Sequence, residues 1–167
     1  MTLAESLIAE LEREGQGTGK ILQRVPTDRI EWKPHAKSMS LGQLAWHIAT
    51  LPRSGVVALR EKKREVTGGG VRPGPGGKDD LAATFQQSLE ALKAELLATS
   101  DQTLVKERFS FVRNGKPIVS FPLLGMIRTV IINHSIHHRG QLTVYLRLLE
   151  VSVPAMYGTT ADESAFD

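Results

Sequence analysis

Three of the five histidines lie within one stretch of ten residues, Asn133-His134-Ser135-Ile136-His137-His138-Arg139-Gly140-Gln141-Leu142. His134 and His138 are four positions apart, so on an α-helix they lie on the same face, one turn apart. That spacing lets two imidazoles bind one metal ion without bending the backbone. His137 points about 100° away from His138, because a helix has about 3.6 residues per turn. The stretch therefore predicts a helix with His134 and His138 as its candidate pair of ligands.

The pair lies on the apolar side of a long predicted helix. A helical wheel places the following residues on the same broad side as His134: Leu123, Ile127, Val130, Ile131, His138, Gln141, Leu142, Tyr145, Leu148 and Leu149. Histidines at such positions are either structural residues held by hydrogen bonds or ligands of one metal ion, which would satisfy both imidazoles at once. Their spacing alone leaves both interpretations open.

The composition is typical of a soluble globular protein, with 41% hydrophobic and 23% charged residues in a chain of 167. This length suits one domain, which we place at residues 1–167. The chain has no cysteine, so any metal must be bound by His, Asp, Glu or water. Neither a signal peptide nor a membrane-spanning apolar stretch is recognisable, and we expect a cytoplasmic protein.

The charge pattern is mildly basic, with a net charge of +3. The basic cluster at residues 60–64 is interrupted by Glu61 and is typical of a solvated helix end. A nucleic-acid-binding surface would need a broader basic face with interleaved aromatic residues. We therefore expect neither nucleic acid nor a membrane as a partner.

Two capping boxes mark the starts of the first two helices, one at Thr2 with Glu5 and one at Ser40 with Gln43. The second helix, predicted to run to about Glu65, carries His47 on its apolar side. His47 is therefore a third core-directed histidine, on a different helix from the first two. A third helix begins after Asp79 and Asp80 and carries no histidine.

Glycines at unusual places predict close contacts and one irregular segment. Gly15, Gly17 and Gly19 in the first helix, and Gly140 in the last, weaken a helix by up to about 1 kcal/mol each. We expect close approach of a neighbouring helix at these positions. The Gly- and Pro-rich residues 67–77 predict an irregular connection, which is either mobile or part of a site entrance.

The dipeptide Asn114-Gly115 separates two β-rich runs, residues 108–113 and 116–121, and predicts a two-residue hairpin. Pro117 restricts the hairpin to the edge of a sheet. Pro122 is suited to the first turn of the closing helix, which we expect to run to about Glu150. Together these patterns predict an all-α four-helix bundle with a short β-hairpin between the third and fourth helices.

Two segments resemble a known family. The closing helix and the segment after it are similar to those of the DinB-like (DinB/YfiT) family, and the second helix matches in the same way. The matching segments are His138-Arg139-Gly140-Gln141-Leu142 with His134 before it, Tyr145-Leu146-Arg147, Pro154-Ala155-Met156-Tyr157-Gly158 and Leu44-Ala45-Trp46-His47-Ile48-Ala49.

The resemblance implies an up-up-down-down bundle that is often a homodimer. It also implies one divalent ion, most often nickel or zinc, bound by His47, His134 and His138. The family includes thiol S-transferases that use bacillithiol and is similar to mycothiol-dependent isomerases. These expectations cover metal, ligands and assembly, and none of them follows from residue spacing alone.

Three imidazoles leave an open coordination position, which is the pattern of a catalytic site and not of a closed structural one. Two reaction classes follow: transfer of a low-molecular-weight thiol, with the thiol supplied by a small-molecule substrate, and hydrolysis of a substrate by water. No residue stands out as a catalytic acid or base. His137 and Gln141 either orient a ligand or make ordinary surface and packing contacts. The alternative is a non-catalytic metal-binding stress-response or scaffold protein, in which the ion joins two helices.

Overall fold

The computed structural model describes residues 1–66, 73–76 and 80–166. Its long helices are α1 (Leu3–Leu22), α2 (Leu41–Glu61), α3 (Leu81–Leu97) and a closing helix. The closing helix, which follows a short α4 (Asp101–Lys106), comprises α5 (Leu123–Met126), a π-helical segment (Ile127–Asn133) and α6 (His134–Leu148). The predicted all-α four-helix bundle is confirmed, and no helix among the described residues is long and apolar enough to cross a membrane.

Both predicted capping boxes are present. The Thr2 hydroxyl accepts a hydrogen bond from the backbone of Glu5, and the Glu5 carboxylate accepts one from the backbone of Thr2. Ser40 and Gln43 make the same reciprocal pair at the start of α2. Each box satisfies two backbone amides that a helix start leaves without a helical partner, and so fixes where the helix begins. Asp80 caps α3, whereas Asp79 lies outside the described residues.

The predicted close contacts are confirmed at Gly15 and Gly17 but not elsewhere. A Cβ atom on Gly15 would lie 2.9 Å from Leu89 Cδ2, so the missing side chain lets α1 approach α3. A Cβ atom on Gly17 would lie 3.3 Å from Nη1 of Arg139 on α6, and 2.9 Å from the sulfur of Met156 in the C-terminal segment. The expectation for Gly19 and Gly140 is wrong, because a Cβ atom on either would meet nothing within 4 Å.

The predicted hairpin consists of β2 (Arg108–Arg113) and β3 (Lys116–Pro122). Asn114 and Gly115 have φ values of +51° and +73°, the left-handed conformation that a tight two-residue hairpin turn requires. The strand order is β1-β2-β3, where β1 is Lys63–Glu65, so Pro117 lies on an edge strand as expected.

The strand β1 (Lys63–Glu65) was not predicted, and it pairs with β2 in parallel. The expectation that α2 continues to about Glu65 is wrong, because Lys62 has a φ of +58° and ends the helix at Glu61. All three residues of β1 are exposed, so no apolar alternation marks the strand in the sequence. The strand places Arg64 beside α2, where it donates a hydrogen bond to Ser54 and lines the cavity described below.

The π-helical segment Ile127–Asn133 interrupts the closing helix just before His134. A π-helix has one more residue in each hydrogen-bonded turn than an α-helix, so it rotates the following residues relative to a continuous α-helix. Leu148, the last residue of α6, was placed on the same side as His134 but is 57% exposed; both residues follow the π-helical segment, which therefore does not explain this difference. The segment contains neither Pro nor Gly, the usual sequence signals of such a break.

The C-terminal segment after α6 packs back on the bundle through its acidic residues. Asp162 accepts hydrogen bonds from the backbone of Val153 and from the guanidinium of Arg147. Glu163 forms an ion pair with Arg24. The hydrogen bond from Arg147, followed by that from Val153, lowers the pKa of the Asp162 carboxyl below its ordinary value. These two acids therefore anchor the C-terminal segment to the bundle.

Replacing Asp162 with asparagine is expected to loosen this segment without unfolding the bundle. A carboxyl with a lowered pKa contributes stability above its unfolded pKa, and that contribution is lost as the pH falls through the folded pKa. The parent protein at low pH should therefore resemble the variant at neutral pH. Limited proteolysis after residue 150 measures the effect, with Asp28→Asn as the control because Asp28 is exposed. Equal cleavage rates for the parent and Asp162→Asn at neutral pH would contradict the anchoring role.

Candidate metal centre

Three histidine rings from two helices meet inside the bundle. His47 comes from the second turn of α2, His134 is the first residue of α6, and His138 follows one turn later. Each ring offers one nitrogen, and these three atoms all lie within 4.8 Å of one another. The ring centroids are 4.4 Å apart for His134 and His138, 4.7 Å for His47 and His138, and 5.2 Å for His47 and His134.

Packing of α2 against α6 brings the three residues together. The neighbours of His47 on α2, Leu44 and Ile48, are fully buried, so their packing fixes the face that α2 turns toward α6. His138 is 7% exposed, and the other two rings are half-buried. The cluster therefore lies at the edge of the core.

The hydrogen bond of His138 to Gln141 defines the state of the His138 ring. Nδ1 of His138 lies 2.7 Å from Oε1 of Gln141, and an amide oxygen only accepts, so Nδ1 carries the proton and donates it. The lone pair is then on Nε2, which faces Nε2 of His134 at 2.7 Å. Metal-bound histidines in proteins usually donate their other ring N–H in this way, which fixes the ring and raises its basicity as a ligand.

The three residues fit a divalent ion by their chemistry. Two nitrogens bound to one ion at about 2.0–2.1 Å are separated by roughly 3 Å, close to the spacing of His134 and His138. Among the residues that the structure describes, the cluster contains three imidazoles and no carboxylate. Imidazoles bind as neutral ligands, so a divalent ion bound there would keep its positive charge. Three protein ligands would also leave a coordination position open for a further ligand.

The other two histidines lie outside this cluster. The His137 side chain is exposed, and although its ring centroid is 5.0 Å from that of His138, it does not belong to the group of converging nitrogens. His35 is exposed in the connection before α2, and its Nδ1 accepts a hydrogen bond from the backbone of Lys37. The structure therefore brings together the three histidines chosen from the sequence.

A cavity of about 270 Å³ opens beside His47. The residues lining it are Gln43, Trp46, His47, Thr50, Leu51, Ser54, Arg64 and Pro73. The Thr50 hydroxyl donates to the carbonyl of Trp46, and the Ser54 hydroxyl accepts from Arg64. Of the three clustered histidines, His47 is the one that lines this cavity.

Behind the cluster, Arg139 forms a buried polar network that the sequence did not predict. Its guanidinium is 4% exposed and donates to the carboxylate and carbonyl of Glu14, to the Thr18 hydroxyl and to the Tyr157 hydroxyl. Partial desolvation of the hydroxyl, followed by its hydrogen bond to Glu14, raises the pKa of the Tyr157 phenol, although the side chain as a whole is 71% exposed. The available signal was weak, an arginine directly after His138 in a helix of mixed composition, which needs a carboxylate partner when it is buried. The network joins α6 to α1 and to the C-terminal segment.

Comparisons with known proteins agree on one family. The profile of the DinB family matches residues 1–165. The uncharacterized protein YrdA of Bacillus subtilis is 25% identical over 154 residues, covering 92% of this chain and 87% of that protein.

Two solved structures of DinB-like proteins have a similar fold. The one from Bacillus cereus has a TM-score of 0.68 and 27% identity and covers 92% of this chain and 97% of its own. The one from Bacillus subtilis has a TM-score of 0.67 and 19% identity and covers 90% and 97%, which shows a shared fold.

Proposed function

The chain belongs to the DinB family, and on that premise we propose that it is a metal-dependent protein whose His47, His134 and His138 bind one divalent ion. The observation that carries the proposal is the convergence of three imidazole nitrogens from α2 and α6 within 4.8 Å. The hydrogen bond from His138 to Gln141 supports it, because it presents the Nε2 lone pair to the cluster. We propose nickel or zinc as the ion because the resemblance to the DinB-like family implies it; three imidazoles by themselves suit copper and iron as well.

We propose an enzyme that transfers a low-molecular-weight thiol or hydrolyses a small substrate. A bound divalent ion supplies Lewis acidity and lowers the pKa of a bound water or thiol to near neutral. The chain has no cysteine, so the thiol in the first reaction comes from the substrate. Within this proposal, the three histidines fix the position of the reacting group, Gln141 holds the His138 ring, and the walls of the cavity orient the substrate.

The cavity beside His47 favours catalysis over a purely structural ion. An ion that only joined α2 to α6 would need no path from solvent, and a structural site is normally closed by a fourth protein ligand. The non-catalytic stress-response or scaffold alternative therefore predicts slow exchange of the ion and no competition by small ligands.

We also propose that residues 1–167 form one domain that assembles as a homodimer, which sedimentation at micromolar concentrations tests.

The direct test is elemental analysis of the purified protein, followed by assays of thiol transfer and hydrolysis with the identified metal restored. We expect about one equivalent of metal per chain, an activity that disappears with chelator, and its return when the metal is added back. A metal-loaded protein that is inactive across both panels and binds no small thiol would support the scaffold alternative. Purified protein that takes up no metal would contradict the metal-dependent function altogether.

Replacing Gln141 with leucine is expected to lower metal affinity about 10- to 100-fold while the fold is kept. The substitution removes the acceptor that holds Nδ1 of His138, so the ring is no longer fixed in the tautomer that presents Nε2. Titration with a competing chelator measures the affinity. Gln87→Leu is the matched control, since Gln87 is exposed on α3. Equal affinities for the two variants would show that Gln141 makes only a packing contact.

A further inference from the structure

The cavity beside the histidine cluster has a polar wall formed by one face of α2. His47, Thr50 and Ser54 are separated by three and four positions, so their side chains follow one another along the same face. Seven residues of helix span about 10 Å, because each adds about 1.5 Å. The wall therefore leads from a candidate metal ligand at one end to Ser54 at the other.

Arg64 lies at the Ser54 end of this wall. Its position comes from β1, and its Nη1 donates to the Ser54 hydroxyl at 3.1 Å. That bond uses one of the five N–H donors of a guanidinium. The neighbouring cations differ from Arg64 because each forms an ion pair with a carboxylate: Arg60 with Glu95, and Lys62 with Glu107.

The electrostatic balance of the cavity is positive. Arg64 is the charged residue among those that line it, and none of the described lining residues is a carboxylate. Within residues 1–66, 73–76 and 80–166, Arg64 forms no ion pair. A cation that lines a cavity without a protein carboxylate attracts an anionic ligand, and a guanidinium matches the planar geometry of a carboxylate.

We infer that this cavity is a subsite for a carboxylate-bearing small molecule, in which Arg64 binds the carboxylate and the opposite end of the molecule reaches His47. The volume of about 270 Å³ suits a ligand smaller than a typical drug. Trp46 and Leu51 supply apolar surface between the two ends, so the ligand carries a short aliphatic chain. The end at His47 rests on the proposed metal-dependent function, whereas the carboxylate contact depends on Arg64 alone.

The experiment compares mercaptoalkanoates of three to six carbons with mercaptoalkanols of the same length. Each pair differs in its carboxylate, so the ratio of the two dissociation constants isolates the contribution of that group. Binding is followed by calorimetry and by tryptophan fluorescence, to which Trp46 in the cavity wall contributes. Both the metal-loaded and the metal-free protein are measured, in chloride-free buffer at low ionic strength. Low ionic strength matters because salt screens an exposed charge pair.

Arg64→Gln is the test variant and Lys63→Gln is its matched control. Lys63 is the preceding residue of β1, so its side chain points to the opposite side of the strand, and it does not line the cavity. We expect the parent and Lys63→Gln to prefer the carboxylate about tenfold, as a charge-assisted hydrogen bond gives. Arg64→Gln should lose this preference while its metal content, its melting temperature and its affinity for the mercaptoalkanols stay unchanged.

Failure of this inference is distinguishable from failure of the metal site. Equal affinities for the two probes in the parent, or a preference that survives in Arg64→Gln, would overturn the role of Arg64 even in a fully metal-loaded protein. A preference found in the metal-free parent and lost in Arg64→Gln would support the subsite even if no metal binds. Loss of the preference together with a lower melting temperature would indicate that Arg64 only fastens β1 to α2, and would overturn the inference.

Discussion

His47→Ala is expected to abolish most metal binding, and the stability that metal adds, while leaving the metal-free bundle folded. His47 is the ligand contributed by α2, so without it the two histidines of α6 remain as a much weaker pair. The side chains that pack α2 into the core are unchanged, because Leu44 and Ile48 are buried on either side of His47. The metal-free variant should therefore melt close to the metal-free parent.

The size of the effect follows from mass action. An ion that binds the folded chain and not the unfolded one stabilises it by about 4 kcal/mol at a free concentration a thousand times the dissociation constant. The unfolded chain has no preformed site, since α2 and α6 bring together residues about ninety positions apart. We therefore expect metal to raise the melting temperature of the parent, roughly 10 °C for a chain of this length, and to raise that of His47→Ala little.

The measurement is the metal content and melting temperature of the parent and of four single His→Ala variants, at positions 47, 134, 137 and 138, with and without chelator. His137→Ala is the matched control, because its exposed ring lies outside the cluster although it adjoins His138. Affinity should also fall below about pH 6.5, where a free imidazole becomes protonated. Loss of metal in His137→Ala together with its retention in His134→Ala would contradict the assignment of ligands.

The sequence predicted those features that arise from local chemistry. Capping boxes, the Asn-Gly hairpin and the four-residue spacing of two histidines each depend on a few neighbouring residues, and all are found where expected. His47 was identifiable because its polar ring interrupts an apolar helix face. The resemblance to the DinB family then linked the two helices that periodicity alone could not pair.

The features that were missed depend on long-range contacts. The three exposed residues of β1 form a strand because β2 offers hydrogen-bonding partners, a contact that no local pattern encodes. The expectation for Gly140 was wrong because this residue is exposed on α6 and faces no neighbouring helix. The cavity position of Arg64 follows from β1 and was equally hidden.

The buried network of Arg139 leads to the second large prediction, that Arg139→Met destabilises the fold by about 3–5 kcal/mol. The substitution leaves the carboxylate of Glu14, whose side chain is 15% exposed, without its guanidinium partner. It also removes the donors to the Glu14 carbonyl and to the hydroxyls of Thr18 and Tyr157. Methionine fills much of the same volume, so the loss reports the polar network more than a cavity.

A double-mutant cycle separates the ion pair from the rest of this network. Free energies of unfolding would be measured by urea denaturation for the parent, Arg139→Met, Glu14→Gln and the double variant, with Arg128→Met as a control on the exposed side of the closing helix. We expect the double variant to lose less than the sum of the two single variants, because removing both charges leaves no unpaired buried charge. Arg128→Met should change little. Additive losses, or an Arg139→Met variant as stable as Arg128→Met, would show that the buried pair does not hold α6 against α1, and the position of His138 would then have to be fixed by packing against α2 alone.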